Sequence, residues 1–277
     1  MEIFKSKETI IKTLQHYRSK SIGFVPTMGA LHRGHMSLIG RCKKETDITV
    51  ASVFVNPTQF NDKDDYAKYP RDLNKDLEML IDSGCDFVFA PSVDEMYPPQ
   101  EDTRIFDFGT LNNVMESKFR PGHFNGVAQI VCKLFEVVMP NKAYFGEKDF
   151  QQLAIIRRLV TMMNYPIEII NCETVRENDG LAMSSRNALL TSKQRENAAT
   201  IYKTLILGKK KIGTISLNEL QQWIIQQIDN VEDMKTEYFE IVDRNTLMPV
   251  NEYKKNTLQG CIAVKAGNVR LIDNIQI

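Results

Sequence analysis

The chain has 277 residues, 43% of them hydrophobic and 25% charged, which is enough apolar material for one large domain or two modest ones. Its 35 Lys and Arg balance 35 Asp and Glu. This balance excludes a global electrostatic attraction to nucleic acid or anionic membrane and leaves room only for local patches. No apolar run reaches the length of a membrane span, and the opening MEIFKSKETI lacks the apolar core of a signal peptide. Cys42, Cys85, Cys132, Cys172 and Cys261 are scattered, form no CxxC pair and sit mostly among apolar residues. Buried reduced thiols in a cytoplasmic protein are therefore expected, rather than a zinc cluster or a disulfide framework.

In chain order, residues 8–19 predict a helix, and SIGFVPT (21–27) predicts a short apolar strand running into a turn. A helix follows from His35 to about Lys44, and then the β-branched run ITVASVFV (48–55). Strand, helix and strand in so short a span make a βαβ unit with parallel strands and a right-handed crossover. The pattern recurs in RDLNKDLEMLIDSG (71–84), which places Leu73, Leu77, Leu80 and Ile81 on one helical face and stops at Gly84. DFVFA (86–90) reads as a strand. Val127, Ile130, Val131, Leu134 and Val138 form a further helical stripe, ended by Pro140. KAYFGE (142–147) is a strand, 149–163 a helix and PIEII (166–170) a strand. This order predicts an α/β fold with a Rossmann-like, mostly parallel sheet and helices on both faces.

After about Cys172 the pattern changes. RENDGLAMSSRN (176–187) reads as polar and irregular. Thr191 with Gln194, and Ser216 with Glu219, are capping-box pairs that open two helices. YFEIVD (238–243) reads as a strand, and CIAVKA and VRLID flank Gly267-Asn268 as a hairpin. A smaller C-terminal α+β domain is expected, dividing the chain into 1–175 and 176–277.

The stretch VPTMGALHRGHMSLI (25–39) carries two histidines three apart where a strand hands over to a helix. The carboxyl end of a parallel strand opens on a ligand crevice, and the following helix aims free N–H groups into it, which favours phosphate. Gly29 and Gly34 allow close approach of a ligand to the backbone. Imidazoles there can donate to phosphate oxygens and stabilise charge that grows during phosphoryl or nucleotidyl transfer. The same residues also suit a plain turn with a packed histidine. FGEKDFQQL (145–153) repeats the strand-to-helix position, with Lys148 as a phosphate cation and Asp149 as ligand residue or N-cap. In GLAMSSRN (180–187), Ser184 and Ser185 supply hydroxyls and Arg186 a cationic fork, on a segment able to swing over a nucleotide or to serve as a polar linker.

Together these strings resemble the HIGH-motif nucleotidyltransferase superfamily. With SVFVNPTQF, YPRDL, RPGHFNGVAQIVCKLF and VRENDGLAMSSRN, they most closely resemble the pantothenate synthetase (pantoate–β-alanine ligase) family over residues 22–190. The last ninety residues match only in general character. The resemblance implies an AMP-forming carbon–nitrogen ligase. Pantoate is first activated by ATP to a pantoyl adenylate, with release of pyrophosphate, and β-alanine then displaces AMP.

By the same resemblance, Met28, Gly29, Ala30, Leu31, His32, Arg33, Gly34 and His35 line an ATP site, with His35 the proton donor and His32 on phosphate. Gly146, Glu147, Lys148, Asp149, Val175, Met183, Ser184, Ser185 and Arg186 complete it. Gln59 and Gln152 match the pair that holds pantoate, and an amide suits a substrate bearing hydroxyls beside a carboxylate. Asn56, Arg120 and His123 lie on matching strings and are second-tier candidates for substrate binding, although Arg120 also suits a surface ion pair. Magnesium is expected with ATP, but Lys75 beside Asp76 argues against a protein-held site there. A homodimer through the larger domain is implied by resemblance alone. Two other readings are a nucleotidyltransferase acting on a phosphate-bearing substrate and a nonenzymatic nucleotide binder. Gln59 and Gln152 weigh against the first, where extra Arg or Lys would be expected. The second predicts ATP binding without AMP formation. A tRNA synthetase is disfavoured by the short chain, balanced charge and lack of an obvious anticodon-binding region.

Overall fold

The computed structural model describes residues 1–98, 104–254 and 257–277. The chain divides into two compact units. The first comprises residues 1–112, 120–147 and 152–173; the second comprises 113–119, 148–151 and 174–277.

The first unit is built on six strands: β1 (Glu2–Phe4), β2 (Ile22–Thr27), β3 (Ile48–Val53), β4 (Phe87–Phe89), β5 (Lys142–Gly146) and β6 (Glu168–Cys172). Their order across the sheet is β1-β4-β3-β2-β5-β6, and every pairing is parallel. Among the described residues the helices before β5 are α1 (Lys7–Gln15), α2 (Arg33–Glu45), α3 (Lys63–Lys68), α4 (Leu73–Asp82), α5 (Val93–Met96), α6 (Glu116–Phe119) and α7 (His123–Val138), of which α6 belongs to the second unit. Helix α8 (Phe150–Met162) lies between β5 and β6.

Successive strand residues point to opposite faces, and both faces are covered. Ile22, Phe24, Val50, Phe87, Phe89, Ala143 and Phe145 pack with Ile10 and Leu14 of α1, with Leu134 and Phe135 of α7, and with Ile156 of α8. Val25, Ala51, Val88 and Tyr144 pack with Leu38, Ile39 and Cys42 of α2 and Leu80 of α4. Burial on both sides is why these strands read as continuous apolar runs rather than alternating ones. Gly23 lets α2 lie close to the sheet, since a Cβ there would strike Cys42 Sγ and Thr46 Oγ1.

The predicted apolar face of α4 is corrected. Leu73 and Ile81 are exposed at 38% and 56%, whereas Leu80 and Asp76 are buried. The helix is rotated so that a carboxylate enters the interior beside Leu80, in place of Leu73 and Ile81, and that carboxylate meets backbone donors described below. The stripe of α7 is as expected, with all five predicted residues buried and Pro140 following the helix.

In the second unit, β7 (Met234–Asp243), β8 (Leu258–Ala266) and β9 (Val269–Gln276) form an antiparallel sheet in the order β7-β8-β9. Helices α9 (Ser192–Ala198), α10 (Thr200–Lys209) and α11 (Leu217–Asp229) precede it, and both predicted capping boxes are formed, at Thr191 and at Ser216. Leu205, Leu220, Ile224 and Ile228 pack with Phe239, Ile262 and Val264 of the sheet. Arg270 of β9 holds Glu116 bidentately at 2.7 and 2.8 Å and also bonds Glu237, while Tyr238 donates to Glu116 at 2.8 Å. This ties α6 to the sheet through charge-assisted bonds.

All five cysteines are unbridged and buried, and burial pushes the Cys85 thiol up to about 12. Among the described residues no helix is long and apolar enough to cross a membrane.

Gly126 of α7 faces the backbone of Thr58, and a Cβ there would strike the Thr58 carbonyl. Helix propensity alone favours Gly→Ala by about 1 kcal/mol, but overpacking against fixed backbone costs about 1–3 kcal/mol. Gly126→Ala is therefore expected to lower the denaturant midpoint without changing the slope, and a raised midpoint would contradict the close approach.

Candidate active site

The strand order reverses direction between β2 and β5, since β3, β4 and β1 run outward on one side and β6 on the other. Ligand crevices of open parallel sheets lie at the carboxyl ends of strands at such a reversal. β2 ends at Thr27 and β5 at Gly146, so two of the sequence motifs begin at this position.

Beyond β2 the chain takes a left-handed turn, with φ of +76° at Gly29 and +49° at Ala30. The alanine is in a region that favours glycine, so other contacts must hold it. Asp76 supplies them: its carboxylate accepts from Ala30 N at 2.9 Å and Leu31 N at 2.7 Å. Gly29 N donates to Thr27 Oγ1 at 3.2 Å. A Cβ on Gly29 would meet Asp76 Oδ2 at 2.7 Å. Burial pushes the Asp76 carboxyl above its ordinary value, and the two N–H donors pull it back.

The turn delivers His32 as the N-cap of α2. Its Nδ1 accepts from Gly34 N at 3.1 Å, and His35 Nδ1 accepts from His32 N at 3.3 Å. This is a capping box built from two imidazoles, with ring centroids 4.1 Å apart. An accepting Nδ1 puts the proton of the neutral ring on Nε2. Both rings are thereby set as Nε2–H donors at a helix N-terminus, an arrangement suited to anionic oxygens.

A second group packs beside Met28. Gln59 is buried, and its amide donates to Met28 Sδ at 2.9 Å and accepts from Asn56 Nδ2 at 3.0 Å. Asn56 also donates to Gly126 O at 3.0 Å, and Tyr97 donates to Asn56 Oδ1 at 2.8 Å. His123 Nδ1 lies 2.7 Å from the Gln59 carbonyl and its Nε2 lies 3.1 Å from Arg120. Since a carbonyl only accepts, His123 carries its proton on Nδ1 and accepts from Arg120. Asn56, Gln59, Arg120, His123 and Met28 thus form one hydrogen-bonded set, in which Arg120 and His123 support the Gln59 backbone. No hydrogen bond among the described residues joins Gln152 to this set. Its neighbour Gln151 is committed elsewhere, to Glu116 N, Val114 O and Ser117 Oγ.

Gly146 and Glu147 belong to the first unit and Lys148 and Asp149 to the second. Glu147 accepts from Asn171, and Lys148 Nζ lies 3.4 Å from the Asp149 carboxylate. Asp149 closes a 3-10 turn, Glu147–Asp149, ahead of α8. The segment read as irregular, 176–187, is more ordered than its composition implies. Met183 N donates to Val175 O at 3.0 Å, Arg176 bridges Ala182, and Gly180 at φ +96° makes the turn against Tyr202. Ser184 then caps a 3-10 turn, Ser185–Leu189, by accepting from Arg186 N at 3.3 Å. Asn-Asp-Gly at 178–180 is a turn signal, but a single flanking bridge leaves no periodicity to read.

Sequence reasoning missed two supports. Asp76 enters that reasoning only as a metal ligand set aside for its neighbour Lys75, although an acidic residue one turn before a buried leucine is a usable hint. Tyr97 gave no signal.

Residues 2–276 match the family described as Pantoate-beta-alanine ligase. The chain is 55% identical over 260 residues to pantothenate synthetase of Bacteroides thetaiotaomicron, covering 94% of this chain and 92% of that protein. It is 50% identical over 279 residues to that of Porphyromonas gingivalis, covering 100% and 99%. Among solved structures, pantothenate synthetase from Thermus thermophilus superposes with a TM-score of 0.94 at 41% identity, covering 100% of this chain and 99% of that one. Pantoate-beta-alanine ligase from Francisella tularensis, complexed with Beta-gamma ATP and Beta-alanine, gives 0.84 at 37%, covering 100% and 97%. The parallel sheet with its imidazole-capped helix, and the identity to these relatives along nearly the whole chain, lead to one assignment: the chain belongs to the pantoate–β-alanine ligase family.

Proposed function

We propose that this chain condenses pantoate with β-alanine to pantothenate, consuming ATP and releasing pyrophosphate and AMP. The observation that carries the proposal is the imidazole capping box at the sheet's reversal point, with Gln59 packed on the same turn. In the first step a carboxylate oxygen of pantoate bonds to the α-phosphorus of ATP as the bond from that phosphorus to the departing pyrophosphate oxygen breaks. In the second, the β-alanine nitrogen bonds to the activated carbonyl carbon, sheds a proton and displaces AMP. No covalent bond to the protein is needed. The protein's task is to bring two anions together and stabilise charge at phosphorus.

His35 and His32 donate from Nε2 to phosphate oxygens, with His35 the proton donor. Lys148, Ser184, Ser185 and Arg186 add cationic and hydroxyl contacts, and Val175, Met183, Gly146, Glu147 and Asp149 frame the nucleotide. Gln59 and Gln152 hold pantoate. Residues 1–175 bind ATP and pantoate, and 176–277 serve as a lid that excludes water. Among the described residues no three His, Cys, Asp or Glu are grouped to hold a metal ion, and both Asp76 oxygens accept backbone N–H groups. Magnesium is therefore proposed to enter with the triphosphate, as part of the substrate. A homodimer through the larger domain and a cytoplasmic location belong to the same proposal and rest on the family resemblance.

AMP release from ATP should require pantoate, while full turnover should also require β-alanine; release independent of pantoate would overturn the reaction. His35→Ala and Lys148→Ala should each lower adenylation by about 10²–10³-fold, as loss of a donor to transition-state charge does, with an unchanged circular-dichroism spectrum. Gln59→Ala should raise KM for pantoate by about tenfold or more, the cost of about 1–3 kcal/mol for an unpaired polar group, and move KM for ATP much less. Asp76→Asn, which turns one acceptor into a donor facing a backbone N–H, should lower kcat through the loosened turn; wild-type kcat would remove Asp76 from the supporting structure.

A further inference from the structure

Strand β9, VRLIDNIQ, places two polar residues side by side, and both are buried: Asp273 is 4% exposed and Asn274 7%. Buried polar groups persist only when partnered, so their partners reveal what they do. Asp273 accepts both arms of Arg176, at 2.7 and 2.9 Å. Arg176 also stacks 3.6 Å from the Tyr202 ring centroid and donates to Gly180 O at 3.1 Å. That fixes the hairpin whose outgoing arm leads into Met183–Arg186. Asn274 donates its backbone N–H to Asp273 Oδ1 at 2.7 Å and accepts from Gln259 Nε2 at 2.6 Å. The bond from Gln259 sets the amide so that Nδ2 faces the Lys148 carbonyl, to which it donates at 2.9 Å. One dipeptide therefore anchors two segments distant in sequence, both within the second unit.

We propose that Asp273 and Asn274 are positioning residues for the nucleotide: Asn274 sets the backbone of Lys148 and Asp273, through Arg176, sets the path of Met183–Arg186. The proposal rests on the ATP-binding reading of Lys148 and Arg186. Neither residue is a catalytic residue, because each acts through its neighbour. The C-terminal strand, for which the sequence motifs gave no role, thereby becomes part of the active-site scaffold.

The test uses Asn274→Asp, which presents a carboxylate oxygen to the Lys148 carbonyl, and Gln259→Leu, which releases the Asn274 amide from outside the segment. Gln259 Oε1 is a buried oxygen without a partner among the described residues, so leucine there removes one unsatisfied oxygen in exchange for the donor it withdraws from Asn274 Oδ1, and the variant should fold. Thermal protection of the wild type by ATP is the baseline; its absence overturns the function on which the proposal rests. With protection present, both variants should lower kcat/KM for ATP by about tenfold, the equivalent of about 1.4 kcal/mol, while KM for pantoate stays within about twofold. In a Lys148→Ala background the further loss from Asn274→Asp should shrink to about twofold, since coupled residues are not additive. The positioning role is overturned if kcat/KM for ATP is unchanged in Gln259→Leu, if the KM values for ATP and pantoate rise together, or if the Lys148 and Asn274 effects add in full.

Discussion

Two backbone N–H groups, on Ala30 and Leu31, are held by one buried carboxylate, and the candidate site depends on that grip. A left-handed turn containing a non-glycine residue costs about 1–3 kcal/mol and persists only where its surroundings over-determine it. Asp76 does so from α4. Once the turn is set, the start of α2 is set, and with it both imidazoles. The histidines then take the place of the Ser and Glu of an ordinary capping box. One pair of side chains therefore closes the helix end and fixes its own tautomers through backbone donors.

The larger architecture was legible because its cause is local. Strands buried on both faces are mostly apolar, and ITVASV shows that, with Thr49 and Ser52 as its buried polar exceptions. Helices between them carry a stripe and a stop, as α7 does with Pro140. Strand β1 was missed because Glu2–Phe4 offers three residues and no period. The face of α4 was misread because a 3.6-residue repeat accommodates Leu73 and Ile81 as well as Leu80. What chose the face was a hydrogen-bond demand from another segment, which no hydrophobic pattern encodes.

The candidate site divides along the same line. His32, His35 and Lys148 could be suspected from their position at the ends of strands, because the physics of helix N-termini is visible in sequence. Gln59 could not: an amide after a proline turn is an ordinary surface residue until it is seen buried against Met28. Arg120 and His123 were singled out as contacts for a small molecule, and the structure shows them bonded to the Gln59 main chain. The adjacent residues Asp273 and Asn274 carried no signal at all, since their partners, Arg176 and the Lys148 carbonyl, lie about a hundred residues away in sequence.

The interior location of all five sulfhydryls gives this chain a built-in indicator of its own integrity. Alkylating reagents act on the thiolate, and here burial both shields the sulfur and, at Cys85, suppresses its ionisation at neutral pH. Sites in both units, at Cys42, Cys85, Cys132 and Cys172 in one and Cys261 in the other, become reactive only as the surrounding layers open. The order in which they are labelled would trace which half of the molecule loosens first, without any dye, tag or engineered residue.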